Sequence, residues 1–191
     1  MDERPPEWQK LNLLQGRAYR CAYCGNQVAS EKGYWANYDY YLYVCPRCKL
    51  PTFFDRSNTQ IPAPPYGDEV RHLPDDVARL YREARACLSV GAYTPSVMAC
   101  RKVLMNVAVQ KNAAVGLKYW EYVEYLAAKG YVPPDGKAWV DHIRDKGNDA
   151  NHEIPAMSQQ DAEMLIDFTG MLLKFMYEYP ARVPPPASAK P

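Results

Sequence analysis

Residues 94–111 read TPSVMACRKVLMNVAVQK. Thr94 suits a helix N-cap and Pro95 the first helical position, where a missing N–H costs nothing. From Ser96 onward apolar residues fall on nearly every side of the helix, the mark of a helix surrounded by others. Arg101 and Lys102 interrupt it. The Lys102 stem is long enough to carry its charge out to solvent. The Arg101 guanidinium is suited to a specific buried partner. The flanking segments supply the surrounding helices. Residues 73–92, LPDDVARLYREARACLSVGA, place Val77, Leu80, Tyr81, Ala84 and Leu88 on one stripe, with Gly91 as the stop. A third helix, LKYWEYVEYLAAK over 117–129, stops at Gly130. A further helix starts at Ser158, with Asp161 as a reciprocal cap, and ends at Pro180. With one more helix over about 137–153, the expected fold is mainly α: an antiparallel bundle of about five helices with short loops. A small β module precedes it.

The additional helix contains IRDKGNDANHEI, residues 143–154, with a Gly and two Asn in mid-segment. All are weak helix formers. At 100° per residue, Val140, Ile143, Gly147, Ala150 and Ile154 share one face, so Gly147 reads as a point of close approach to a neighbouring helix. Arg144, Asn148 and His152 then form a polar row along the rim of that face, flanked by Asp141 and Asp145. Such a row suits a groove or a symmetric interface. Each member also has a plainer role: a surface pair for Arg144, a backbone bond for Asn148, and a helix-end charge for His152. His152, Asn148 and Arg144 are the candidate catalytic residues. Arg101, Asp145 and Asn151 are the candidate binding residues. His72, beside the linker, and His142, on the outward side, are less informative.

The N-terminal third holds Cys21-Ala-Tyr-Cys24 and Cys45-Pro-Arg-Cys48. Each Cys-x-x-Cys turn sets two thiolates on one side of a tight knuckle. Two knuckles facing each other make the tetrahedral sulfur site that Zn²⁺ accepts. Cys21, Cys24, Cys45 and Cys48 are the expected metal ligands. Four sulfurs close the coordination sphere, so the expected cofactor is one structural zinc per chain. Gly25 follows the first knuckle, where a positive φ is often needed. Strand-like segments at 17–20, 38–44 and 51–54 flank the pairs, and residues 17–55 resemble a zinc ribbon. In YWANYDYYLYVC, residues 34–45, Tyr41 and Tyr43 point one way and Tyr40, Leu42 and Val44 the other. These rings either cover the metal site or stack unpaired bases. Cys87 and Cys100 read as small apolar core residues.

The remaining composition bounds the answer. The chain of 191 residues divides into a zinc-ribbon-like four-cysteine module over 1–62, a proline-rich linker over 63–74, helices over 75–180 and a disordered tail over 181–191. Net charge is +1, so any nucleic-acid contact must be local. No apolar run approaches the roughly 20 residues that cross a bilayer. The N-terminus, MDERPPEWQK, lacks the pattern of a signal peptide. A cytoplasmic, membrane-free protein is expected.

The segments LPDDVARLYREA (73–84), GAYTPSVMACRKVLMNVAV (91–109), YLAAKGYVP (125–133) and WVDHIRDKGNDANHEI (139–154) resemble a HEPN-like helical domain of prokaryotic restriction and anti-phage defence proteins. In active HEPN members an Arg, a polar residue and a His meet across a dimer and cut RNA without metal. The resemblance therefore implies a homodimer, RNA or a defence-system protein as partner, and the roles of Asn148 and His152. Gly147 stands where active members carry the Arg, and Arg144 lies one turn earlier. Two function classes follow. One is a zinc-containing binding or assembly module that recognises RNA or a protein partner through Arg144, Asn148 and His152. The alternative is a metal-independent endoribonuclease using the same residues.

Overall fold

A computed structural model describes residues 6–37, 39–132, 136, 139, 141 and 156–183. The chain forms two compact units, Met1–Pro65 and Tyr66–Pro191.

The first unit is an antiparallel meander of β1 (Asn12–Arg20), β2 (Gln27–Ala36), β3 (Tyr40–Val44), β4 (Pro51–Phe54) and β5 (Gln60–Ile61), paired in chain order. The expected strands at 17–20, 38–44 and 51–54 correspond to parts of β1, β3 and β4. The long strand β2 was not expected. Its buried positions, Ser30 and Gly33, are three apart, so the period of two that betrays a strand is broken. The pairing with β1 also shifts register between Leu13 and Arg17. Gly33 sits where a Cβ would lie 1.9 Å from the Leu42 carbonyl oxygen, so only glycine lets β2 and β3 meet there.

The second unit contains α1 (Asp75–Ser89), α2 (Tyr93–Gln110), α3 (Tyr119–Ala128) and α4 (Gln159–Leu173). The chain continues from α4 through a π-helical stretch, Lys174–Glu178, into a last turn, Tyr179–Arg182. The fold is thus mixed α and β. Four helices stand among the described residues, beside a five-stranded sheet with its own core, and this corrects the expected mainly α five-helix bundle. The sheet was underestimated because β2 carries no strand signal. The helix expected over 137–153 lies almost wholly outside the described residues.

α2 lies at the centre, packed against α1, α3 and α4. Val97, Cys100, Val103, Leu104, Val107 and Ala108 are buried. Thr94 does not cap it: α2 begins at Tyr93, and the Thr94 hydroxyl instead accepts the Met157 N–H at 3.0 Å. α4 begins as its sequence requires. The Ser158 hydroxyl accepts the Asp161 N–H at 3.2 Å and the Asp161 carboxylate accepts the Ser158 N–H at 3.1 Å. Such a reciprocal cap stabilises a helix by about 1 kcal/mol. Pro180 does not stop the chain; it falls in the first turn of a restarted α-helix, where a missing N–H is harmless.

Residues 66–74 run as a strap over this unit, with Tyr66, Val70 and Leu73 packed on the helical core. Its far end is held by Glu178, whose carboxylate accepts the Arg71 N–H at 3.0 Å and a bond from the Arg182 guanidinium. The Arg71 N–H, then the Arg182 and Lys174 charges, hold the Glu178 carboxyl below its ordinary value despite the opposing effect of burial. A carboxyl with a depressed folded pKa contributes stability above its unfolded value and loses it as pH falls through the folded value. Glu178→Gln is therefore expected to lower the melting temperature at pH 7, and the gap from the parent to close as the pH is taken below about 4. Equal melting temperatures at pH 7 would show that the carboxylate contributes nothing.

Candidate metal centre

The centre is built on two turns of one design. In the first, the Gly25 N–H bonds the Cys21 carbonyl at 2.9 Å and the Cys21 N–H bonds the Asn26 carbonyl at 2.9 Å. In the second, the Lys49 N–H bonds the Cys45 carbonyl and the Cys45 N–H bonds the Leu50 carbonyl, both at 3.0 Å. The residue after each second cysteine takes a left-handed backbone, φ +68° at Gly25 and +63° at Lys49. Glycine does this freely; a lysine costs about 1 kcal/mol. Lys49 is held there by its ammonium on the Pro46 carbonyl at 2.8 Å and by the Trp8 indole N–H on its own carbonyl at 2.6 Å.

These turns bring Cys21, Cys24, Cys45 and Cys48 together, every Sγ within 4.8 Å of the others. Cys21 and Cys48 are 3.6 Å apart, and Cys24 and Cys45 3.9 Å. Cys21 and Cys45 are buried; Cys24 and Cys48 are half-buried. Burial pushes the Cys21 thiol up, and pushes Cys48 up to about 12. Burial also opposes ionisation of Cys24, but the Asn26 amide and backbone N–H groups and the neighbouring thiols outweigh it and bring Cys24 down to about 7. The Asn26 amide is itself held at 3.0 Å by Arg47 from the second knuckle. The four cysteines could hold one metal ion, and four sulfurs leave no position open for water.

The rings of the sheet divide as strand alternation requires. Tyr43 packs with Tyr19 and Phe54 against the sulfur cluster, edge-on to Phe54 at 5.8 Å. The Arg17 guanidinium lies 4.1 Å above the Phe54 ring. Tyr40 takes the opposite face, stacked on Phe53 at 6.0 Å, with Arg56 over it at 5.8 Å.

Of the other candidate residues, the structure places Arg101. It is half-buried on α2, its guanidinium 4.7 Å above the Tyr119 ring of α3. Tyr119 thus offers it an aromatic face as a partner. Burial raises the Tyr119 hydroxyl pKa, against the lowering effect of Arg101. Arg144, Asp145, Asn148, Asn151 and His152 lie outside the described residues, as does His142. His72 is exposed, at φ +60°. Cys100 is fully buried among core residues and Cys87 is half-buried.

Two buried charged residues were missed, Glu178, described above, and Arg85. Arg85 is buried in α1, and its guanidinium donates to the carbonyls of Tyr66 at 2.7 Å and Gly67 at 2.9 Å. The signal was present, because position 85 falls on the stripe of Val77, Tyr81, Ala84 and Leu88. A charge there needs a built partner.

No described helix is long and apolar enough to cross a membrane. Among curated proteins and solved structures, none matches the chain. Residues 82–189, more than half of the chain and spanning α2, α3 and α4, match the model of the domain of unknown function DUF4145, and the chain belongs to that family.

Proposed function

We propose that this protein is a non-catalytic binding module, in which a structural zinc ion holds the sheet unit together and the DUF4145 unit presents a polar surface to RNA. The closed set of four sulfurs carries the reading. A catalytic zinc keeps a position for water or substrate, and four cysteines fill all of them. Zinc is the metal favoured by a tetrahedral all-thiolate donor set. The proposed contact surface is the row Arg144, Asn148 and His152, with Asp145, Asn151 and Arg101 beside it. Its support is the helical spacing of the row and the HEPN-like resemblance, which also favours a homodimer of the prokaryotic defence type. Tyr119 supports the part of Arg101, because a guanidinium seated on a ring keeps its donor edge for another partner.

The purified protein is expected to contain one zinc per chain and to retain labelled single-stranded RNA at low salt without cutting it. Arg144→Ala is expected to weaken that binding about tenfold, the order of one charge-assisted contact. Cleavage that persists in EDTA and disappears in His152→Ala would replace this reading with the metal-independent endoribonuclease. Failure to retain any RNA at low salt would remove RNA as the ligand.

A further inference from the structure

The strap, α4 and the π-helical stretch enclose a cup of about 260 Å³ in the second unit. Asp68, Asp167, Lys174, Phe175 and Tyr179 form its walls and Tyr81 its floor. The cup is rigidly built. At Gly67, φ +69°, a Cβ would lie 2.7 Å from the Ile166 side chain; at Gly170 it would lie 2.6 Å from the Tyr81 hydroxyl. Glycines at both places let the strap and α1 close onto α4. The Tyr81 hydroxyl donates to the Asp68 carbonyl at 3.1 Å, and the buried Arg85 fixes the two strap carbonyls before it.

The lining selects one kind of guest. Two carboxylates against one ammonium leave the cup negative, which disfavours an anion. Lys174 sits 2.5 Å from Asp68 and compensates that carboxylate. Asp167 is exposed and accepts the Tyr66 hydroxyl at 2.8 Å, with no cation paired to it among the described residues. At the rim, Phe175 and Tyr179 meet edge to face at 5.4 Å and stand 49% and 43% exposed. A purely apolar guest would cover these rings but strand the Asp167 charge. A guanidinium satisfies both, because its flat face stacks on rings while its edge forks onto a carboxylate. The volume lies below the roughly 300–1,000 Å³ of sites for whole small-molecule ligands, and fits one long side chain. The placement of a π-helical turn at the rim agrees with the tendency of such turns to mark functional sites.

We infer that this cup receives a single arginine side chain from a protein partner, with Asp167 as the charge partner and Phe175 as the stacking wall; the Tyr179 ring beside it already carries the chain's own Arg182 guanidinium, 5.7 Å from its centroid. The cup shares no residue with the sulfur cluster or with the row proposed for RNA.

The test uses the full chain and a capped Gly-Arg-Gly peptide, with capped Gly-citrulline-Gly as its uncharged isostere and Gly-Lys-Gly as the ammonium control, each followed by NMR titration. The arginine peptide is expected to shift resonances of the rim residues and to bind about tenfold more tightly than either control. Asp167→Asn and Phe175→Ala are each expected to weaken it about tenfold with the melting temperature unchanged, while Glu83→Gln on the exposed side of α1 leaves it intact. Equal binding of arginine and citrulline peptides, equal binding of arginine and lysine peptides, or arginine binding that survives Asp167→Asn would each overturn the assignment. So would the absence of any binding at millimolar peptide.

Discussion

Chelating the metal, or replacing Cys45 with Ser, is expected to unfold the sheet of β1 to β5 and leave the helices standing. The reason is the size of the core. Among the described residues, the buried cluster of the sheet unit consists of Tyr19, Cys21, Tyr43, Cys45 and Phe54, so two of its five members are proposed metal ligands. Three rings with half-buried neighbours do not offset the chain entropy of a unit this small, which is why domains of this size recruit a metal. A four-ligand site of this kind does not exist in the unfolded chain, so the apparent binding free energy of a structural zinc, about 10–16 kcal/mol in small zinc domains, is folding free energy. Without it, four thiols are crowded within 4.8 Å with nothing drawing them together. The helical unit has a separate core around α2 and contains none of the four ligands. The share of near-ultraviolet dichroism that comes from the sheet tyrosines, Tyr19 and Tyr43 among them, should therefore be lost on chelation, while the share from Tyr81 and Tyr122 in the helical core and the helical far-ultraviolet signal persist. Limited proteolysis should show new cuts within residues 12–61 that the metal-bound protein lacks. Because the ligands bind as thiolates, protons compete with the metal, and acidification should release it with the same outcome. A metal-free sheet that still resists protease would show that the rings suffice alone.

How much of this was legible depends on where each signal resides. The two knuckles could be read because a metal site is local: spacing fixes the geometry, and the chain must only bring two such turns together. The central helix was legible for the opposite reason, since no other environment suits a segment apolar on every side. β2 was illegible. Its alternation slips between Ser30 and Gly33, and the demand at Gly33 comes from the Leu42 carbonyl on another strand, which no local pattern reveals. Thr94 shows the same limit from the other direction. Its hydroxyl looks like a cap for its own helix but bonds Met157, 63 residues away, because the tertiary partner offers a half-buried N–H that needs an acceptor. Arg101 was read as suited to a specific partner; that a ring on α3 lies against its guanidinium is a matter of packing that no local pattern shows.

Arg85→Leu is expected to destabilise the helical unit by roughly 3–5 kcal/mol, the sum of two charge-assisted hydrogen bonds lost to half-buried carbonyls. That would lower its melting temperature by roughly 10–20 °C. The competing expectation is a gain, since exchanging buried charges for apolar side chains of similar size is often neutral or stabilising. The location of the acceptors decides between them. Where both partners of an ion pair are replaced, no polar group is left behind. Here the acceptors are the main-chain carbonyls of Tyr66 and Gly67, which no substitution at position 85 removes. Leucine restores the packing and none of the donors, so the strap must lift to let water reach its carbonyls. Arg85→Lys keeps the charge but offers a single nitrogen to two acceptors, and is expected to fall between leucine and the parent. Lifting the strap also draws the Tyr66 hydroxyl away from Asp167 and the Asp68 carbonyl away from Tyr81, so the loss should spread along residues 66–71 as faster amide exchange. A leucine variant that melts with the parent and protects those amides equally would mean that the guanidinium is merely tolerated in the core, and that the strap is held by its other contacts: its tyrosine, its apolar side chains, the Asp68–Lys174 pair and Glu178.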